Sequence, residues 1–176
     1  MFKIARQVLR AGIVTEAPPD PDETLRAAAE HVQRELLETL GRALAIRHVD
    51  AGSCNGCELE IHALSNPYYN LEGLGIRFVA SPRHADMLLV TGPVTRNMEL
   101  ALKRTFEAVP DPKLVVALGD CTGCGGIFGR GYAITGSVAE VIPVDVVVPG
   151  CPPAPLEILR GILTAVRAPQ SRVETP

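Results

Sequence analysis

The sequence predicts an α/β protein with a doubly wound parallel sheet, in which helices cover both faces. Short apolar runs alternate with helical segments along most of the chain. Two of these runs, Met87–Thr91 and Leu114–Leu118, are almost wholly apolar, as is typical of strands that are covered on both faces. At 176 residues the chain is long enough to form one domain with its own core.

The first 44 residues are predicted to form an N-terminal arm and an amphipathic helix. Residues 1–13 are only weakly amphipathic, and Ala17–Asp22 is a proline-rich break. From Asp22 to about Leu44 apolar residues recur at helical spacing, with acidic residues at the start, where the helix dipole favours them. We expect this helix to pack on its own domain or on a neighbouring subunit.

The other elements belong to one predicted domain, residues 45–167, and a polar tail follows at residues 168–176. Short β-rich or apolar runs predict strands at Ile46–Val49, Ile76–Ala80, Met87–Thr91, Leu114–Leu118 and Val144–Val148. Helical spacing of apolar residues predicts helices at Glu58–Ser65, Met98–Ala108 and Leu156–Val166. The first of these helices should stop at Pro67, because proline cannot continue a helix.

Composition narrows the class of protein. The formal net charge is −3, there is no basic run, and aromatic residues make up 4% of the chain, so binding to nucleic acid is not expected. No N-terminal stretch resembles a secretory signal, and no apolar run approaches the roughly 18 residues that span a bilayer. We therefore expect a soluble chain in a reducing compartment, which would associate with a membrane only through a partner.

Cysteine-containing loops follow three of the predicted strands. Cys54 and Cys57 follow the first strand, Cys121 follows the fourth and Cys151 follows the fifth. Because the carboxyl ends of parallel strands meet at one edge of a sheet, these loops should approach one another there. In a reducing compartment closely spaced cysteines indicate metal or redox chemistry more often than disulfides. Four thiolates are the usual ligands of a 4Fe–4S cluster.

The spacing of the cysteines leaves alternatives open. Because Cys121 and Cys124 form a second CxxC pair, a zinc ion could be bound by Cys54, Cys57, Cys121 and Cys124. The two pairs are much farther apart than in ordinary zinc ribbons, and the CPP segment at Cys151 would then have no role. Cys54 and Cys57 could instead form a thioredoxin-like redox pair, which would leave the other cysteine loops without a role.

The chain resembles a known family in four blocks that occur in order. The blocks read CNGCELEI, SPRHAD with a later TGPVTRNM, ALGDCTGCGGIF and IPVDVVVPGCPP. They resemble the family of the 20 kDa (B-type) subunit of respiratory complex I and of the small subunits of membrane-bound, energy-converting nickel–iron hydrogenases. The resemblance covers about residues 47–166. The spaced pair at Cys54 and Cys57 is similar to the hydrogenase branch, notably formate hydrogenlyase, since the complex I branch has adjacent cysteines.

The resemblance implies a flavodoxin-like fold and one 4Fe–4S cluster. The implied ligands are Cys54, Cys57, Cys121 and Cys151. Cys124 is not a ligand in the family pattern and is expected to be a bystander thiol or an alternative ligand. Glu60 and Arg83 resemble family residues that lie near the cluster and would tune it. Structural or exposed positions are expected for the histidines His48, His62 and His84.

The resemblance also implies an electron-transfer subunit of an oxidoreductase complex, without a complete active site of its own. It would relay electrons between a ferredoxin-like iron–sulfur subunit and a catalytic large subunit, of the hydrogenase or the complex I 49 kDa type. We expect it on the cytoplasmic face of the plasma membrane, held there by partners that include membrane subunits. The alternatives are a quinone reductase of the complex I type, a hydrogenase-related subunit without hydrogen activity, and a structural subunit with a four-cysteine zinc site.

Overall fold

A parallel sheet forms the centre of the computed structural model, which describes residues 2–12, 34, 38 and 41–167. The strands are β1 (Leu44–Asp50), β2 (Ile76–Phe78), β3 (Met87–Thr91), β4 (Val94–Thr95), β5 (Leu114–Leu118), β6 (Ile134–Gly136) and β7 (Val146–Val148). Five of them form the sheet in the order β2-β1-β3-β5-β7, and all neighbours run parallel. Counted along the chain this order is 2-1-3-4-5, which is the flavodoxin-like arrangement. The predicted fold class is confirmed.

Helices cover both faces of this sheet. The helices of the described ranges are α1 (Phe2–Ala11), α2 (Gly56–Ala63), α3 (Arg96–Ala108), α4 (Asp120–Cys124) and α5 (Pro155–Arg167), and α2, α3 and α5 contribute to the cores on the two faces. Ile61 of α2 and Ile158 of α5 belong to one buried core, whereas Leu102 of α3 belongs to a second core on the opposite face. No helix in the described ranges is both long and apolar enough to span a bilayer.

The central strand β3 contributes to both cores, which explains its apolar sequence. Met87 and Leu89 belong to the first core, and Leu88 and Val90 to the second, because successive side chains of a strand point to opposite faces. All four are fully buried. Burial of each is worth roughly 1.5–3 kcal/mol relative to an exposed side chain. A strand of this kind has no face that tolerates a charge.

Four features differ from the sequence prediction. The N-terminal arm contains a helix, α1, and the predicted loop after β5 contains the short helix α4. The strand predicted from Val144 begins only at Val146, because Asp145 bonds to Val115 through its backbone N–H and also through its carboxylate, so that a side chain replaces part of the ladder. The antiparallel pair β4–β6 was not predicted, since two- and three-residue strands carry too little pattern.

Two predicted elements fall on residues that the structure leaves undescribed. The helix predicted from Asp22 lies outside the described residues except for Arg34 and Glu38, which have helical backbone, and Leu44 already belongs to β1. The polar tail, residues 168–176, also lies outside the described residues.

Gly161 allows α5 to pack closely on β7. A Cβ atom at Gly161 would lie 2.2 Å from Cγ2 of Val148. We predict that Gly161→Ala lowers the free energy of unfolding, because overpacking costs roughly 1–3 kcal/mol. The better helix propensity of alanine offsets at most about 1 kcal/mol of this loss. Chemical denaturation of the purified chain measures the difference.

The double variant Gly161→Ala/Val148→Ala should recover part of the stability that Gly161→Ala removes, because the clashing methyl group is absent. Gly131→Ala serves as the control, since no atom of the described residues lies within 4 Å of a Cβ atom placed there. Equal losses at both glycines would contradict this account of the packing.

Candidate metal centre

Loops at the carboxyl edge of the sheet bring four cysteines to one region. Cys54 and Cys57 follow β1, Cys121 follows β5, and Cys151 follows β7. These strands belong to one parallel sheet, with β3 between β1 and β5, so the loops emerge at the same edge. Cysteines that are nearly 100 positions apart in the chain (151 − 54 = 97) therefore become neighbours.

Contacts between the loops are close. The Sγ atom of Cys57 lies 3.8 Å from the carbonyl oxygen of Leu118, to which its thiol donates, and this contact joins the first loop to the end of β5. The side chains of Cys121 and Cys151 lie close enough for Cys151 to raise the pKa of Cys121. Pro152 is also in contact range of the first loop, because its Cβ lies 3.8 Å from the position of a Cβ on Gly56. The thiols thus form one group at the end of the sheet.

Burial and mutual repulsion disfavour the charged forms of these thiols. Burial, with repulsion from Glu58 and from Cys121, Cys54 and Cys151, raises the pKa of Cys57 from 9.0 to about 12. Burial also raises the pKa of Cys121, and Cys151 and Cys54 add to that effect. Thiolates that repel one another in this way are stabilised by a positive centre bound among them, and binding releases their protons.

Two glycines let the backbone approach two of the sulfur atoms closely. A Cβ atom on Gly119 would lie 2.8 Å from Sγ of Cys57, and one on Gly126 would lie 2.7 Å from Sγ of Cys121. Both glycines have positive φ, +94° and +53°, which side chains other than hydrogen disfavour. A larger residue at either position would collide with a sulfur atom, so these two positions require glycine.

The donor set fits an iron–sulfur cluster. Among the described residues, no three His, Cys, Asp or Glu side chains are arranged to hold one metal ion between them. A cubane cluster makes a different demand, because each of its four thiolates binds a different iron atom. Four thiols that converge at one edge of the sheet supply that donor set.

Cys124 has surroundings of its own. It is exposed, and its Sγ lies 3.6 Å from the carbonyl oxygen of Asp120, one turn earlier in α4. It lines a cavity of about 200 Å³ together with Gly123, and the ion pair of Arg130 and Glu140 forms part of the same wall. This position favours Cys151 over Cys124 as the fourth member of the thiol group.

The two charged residues that the sequence suggested for tuning lie in different settings. Glu60 is half-buried in α2, and Arg83 is exposed in the 3₁₀ turn Pro82–His84. Within the described ranges, no hydrogen bond or ion pair joins either residue to a cysteine. Their proposed effect on the cluster stays a prediction.

Glu58 is the residue of this region that the sequence analysis missed. It directly follows Cys57 in the first turn of α2 and is only 9% exposed. Thr91, at the end of β3, donates its hydroxyl to Oε1 of Glu58. Nε2 of His48 lies 3.6 Å from the same carboxylate oxygen and 2.9 Å from the Thr91 hydroxyl. The available signals were a carboxylate next to a CxxC pair and a hydroxyl at the end of an apolar strand.

Known proteins of one family are similar to this chain. The family described as the 20 kDa subunit of NADH ubiquinone oxidoreductase matches residues 54–165. The chain is 46% identical over 132 residues to a probable membrane-bound hydrogenase subunit of Pyrococcus furiosus, covering 75% of this chain and 79% of that protein. It is 42% identical over 149 residues to formate hydrogenlyase subunit 7 of Escherichia coli. That match covers 85% of this chain but only 57% of the relative, so the chain spans little more than half of that protein's length.

A solved structure gives a further match. A chain of the membrane-bound sulfane sulfur reductase, an archaeal respiratory membrane complex, aligns with a TM-score of 0.63 and 36% identity. The alignment covers 74% of this chain and 73% of that chain. The resemblance based on four sequence blocks is confirmed.

The raised pKa of Cys57 predicts slow alkylation in the iron-free chain. Only thiolates react readily with iodoacetamide, and a pKa of about 12 leaves few of them at pH 8. We expect Cys57 to react at least about tenfold more slowly in the folded chain than in urea, since each pKa unit changes the thiolate fraction about tenfold. Mass spectrometry of the labelled peptides over time measures both rates under reducing, anaerobic conditions.

The pH dependence gives a second readout. In urea the rate at Cys57 should level off as the pH passes the ordinary thiol value of 9.0, whereas in the folded chain it should still rise toward pH 12. Cys124, which is exposed, provides the internal comparison. Equal rates for Cys57 in the folded and unfolded chain would contradict the proposed surroundings of its thiol.

Proposed function

Because this chain belongs to the family of the 20 kDa subunit of NADH ubiquinone oxidoreductase, we propose that it is an electron-transfer subunit with one 4Fe–4S cluster. The observation that carries the proposal is the convergence of four cysteines at one edge of the sheet. The proposed ligands are Cys54, Cys57, Cys121 and Cys151. When bound, the cluster would supply one-electron transfer at a potential set by its surroundings.

The turn that carries Cys54 and Cys57 is fixed by local hydrogen bonds. The carboxylate of Asp50 accepts from the backbone N–H groups of Gly52 and Ser53, at 2.8 and 2.7 Å. Asn55, between the two cysteines, has a φ of +73° and starts α2. A turn held in this way needs little further ordering of the chain when a ligand binds to Cys54 and Cys57, which favours binding.

The loops of Cys121 and Cys151 are fastened to each other. The carboxylate of Asp120 accepts from the backbone N–H of Gly150 at 2.8 Å, and the backbone N–H of Asp120 donates to the carbonyl of Gly150 at 2.9 Å. Each bond lies one residue away from a proposed ligand. The pair therefore keeps the second and third cysteine loops in register at the ends of β5 and β7.

Exposed apolar side chains near the thiols support a partner at this edge. Ile127 and Phe128 lie in the 3₁₀ turn after α4 and are 83% and 44% exposed, and Tyr132 follows at 91%. Large apolar side chains grouped on a surface often mark a protein interface. We propose that a catalytic large subunit covers this surface and exchanges electrons with the cluster, and that a ferredoxin-like iron–sulfur subunit supplies or accepts them.

The relatives support a location at a membrane. One is named as a membrane-bound hydrogenase subunit, and the aligned solved chain comes from a respiratory membrane complex. We propose that this chain is a peripheral subunit at the cytoplasmic face, held there by membrane subunits of its complex. Mass spectrometry of subunits that co-purify with the chain from detergent-solubilised membranes tests this arrangement.

A second candidate function is an electron relay in a related complex without hydrogen activity. The aligned solved chain belongs to a sulfane sulfur reductase, although the two curated relatives are hydrogenase subunits. The fold of this chain serves either reaction, because the reacting site would lie in the large subunit. Assay of the purified complex for hydrogen uptake or evolution, and for sulfane sulfur or quinone reduction, distinguishes these possibilities.

Single Cys→Ser variants test the ligand set. We predict that Cys151→Ser abolishes or strongly weakens the electron paramagnetic resonance (EPR) signal of the dithionite-reduced cluster, because one iron loses its thiolate. Cys124→Ser should leave the signal and the iron content close to wild type, which makes it the matched control. Loss of the signal in Cys124→Ser with retention in Cys151→Ser would exchange the two assignments, and the cluster would then be bound by the two CxxC pairs.

A further inference from the structure

Glu58 carries an unsatisfied oxygen in the core. Its Oε1 accepts a hydrogen bond from Thr91, but its Oε2 is buried and has no hydrogen-bond partner in the described part of the chain. Leaving a buried polar atom unpaired costs about 1–3 kcal/mol. In native structures such atoms are few, and each calls for an explanation.

Thr91 and His48 lie against one oxygen of the Glu58 carboxylate, and the other oxygen has no partner in the described part of the chain. Thr91 shares its face of β3 with Met87 and Leu89, which are apolar and fully buried. Apolar residues of similar volume often replace buried polar groups without loss of stability. A function at the site is the remaining reason, and the nearest functional group is the thiol of Cys57, the preceding residue.

The contacts of Glu58 tie this ligand to the sheet. Thr91 lies at the carboxyl end of β3, and His48 lies near the end of β1, so the carboxylate joins the first turn of α2 to two strands. α2 has no side-chain cap at its N-terminus. The contacts of Glu58 therefore fasten the first turn of α2, which carries Cys57, to the sheet.

The same carboxylate would place a negative charge next to the cluster. Burial lowers the pKa of His48, so its ring is mostly neutral at pH 7 and does not balance the charge of Glu58. Charges act more strongly in the core than in water, because the core is less polarisable. A negative charge near a cluster favours the oxidised form, which carries one electron fewer.

We propose that Glu58, held by Thr91 and His48, is a positioning residue that fixes Cys57 and lowers the reduction potential of the cluster. The inference rests on the proposed function above. It assigns two separable effects to the side chain of Glu58. The hydrogen bond from Thr91 fixes the position of Cys57, and the charge of the carboxylate lowers the reduction potential of the cluster.

Two substitutions separate these effects. Glu58→Gln keeps the size and an acceptor oxygen but removes the charge, and we expect the midpoint potential to rise while the iron content stays unchanged. Thr91→Val keeps the charge but removes the donated hydrogen bond, and we expect faster loss of iron to a chelator. Thr91→Ser restores the hydroxyl and should restore the wild-type rate of iron loss. Redox titration followed by EPR, at one fixed pH, and the rate of iron loss are measured on the purified complex.

The control is Glu107→Gln, which removes the same charge at an exposed position of α3. It should change neither the potential nor the rate of iron loss. If Glu58→Gln has the midpoint potential of the wild type, the charge of Glu58 does not lower the reduction potential. Equal shifts of the midpoint potential in Glu58→Gln and Glu107→Gln would also contradict this effect. If Thr91→Val loses iron at the wild-type rate, the proposal that Glu58 fixes the position of Cys57 is wrong. This test does not require Glu58→Gln to fold. Absence of any cluster from the wild-type complex would instead refute the proposed function itself.

Discussion

Parallel alignment of the strands β1, β5 and β7 is the constraint on which the rest of the structure depends. It sends the three cysteine loops to the same edge, although they are far apart in the chain. Alignment alone leaves the loops free to move, and short hydrogen bonds at their bases remove that freedom. Asp50 fixes the first loop, and the reciprocal bonds of Asp120 and Gly150 join the other two. The buried apolar residues of β3 and β5 stabilise the sheet from which these loops emerge.

Carboxylates at the two ends of the sheet accept hydrogen bonds from different kinds of donor. At the amino end, Asp86 accepts from the backbone N–H of Ala45, and Asp145 accepts from that of Val115. Those bonds extend the strand ladders and have a structural reason. At the carboxyl end, Glu58 accepts from a side-chain hydroxyl, and its other oxygen has no hydrogen-bond partner among the residues that the structure describes. The carboxylates of Asp86 and Asp145 therefore have a structural role in the sheet, whereas we explain the position of Glu58 by the neighbouring Cys57.

The sequence predicts well those features that depend on local pattern. β3 and β5 have the predicted bounds, because a short apolar run is typical of a strand that is covered on both faces. The loops after the strands, and with them the cysteines, follow from topology. Burial of Glu58 depends instead on Thr91 and His48, which are 33 and 10 positions away (91 − 58 = 33; 58 − 48 = 10), so no local pattern indicates it. The different surroundings of Cys124 and Cys151 likewise arise only once α4 has formed.

The central claim is that the converging thiols hold a cluster and not a single ion. Anaerobic purification of the chain followed by analysis of iron, zinc and acid-labile sulfide tests it most directly. The account predicts about four iron and about four sulfide per chain, with no zinc. One zinc per chain without sulfide would contradict it.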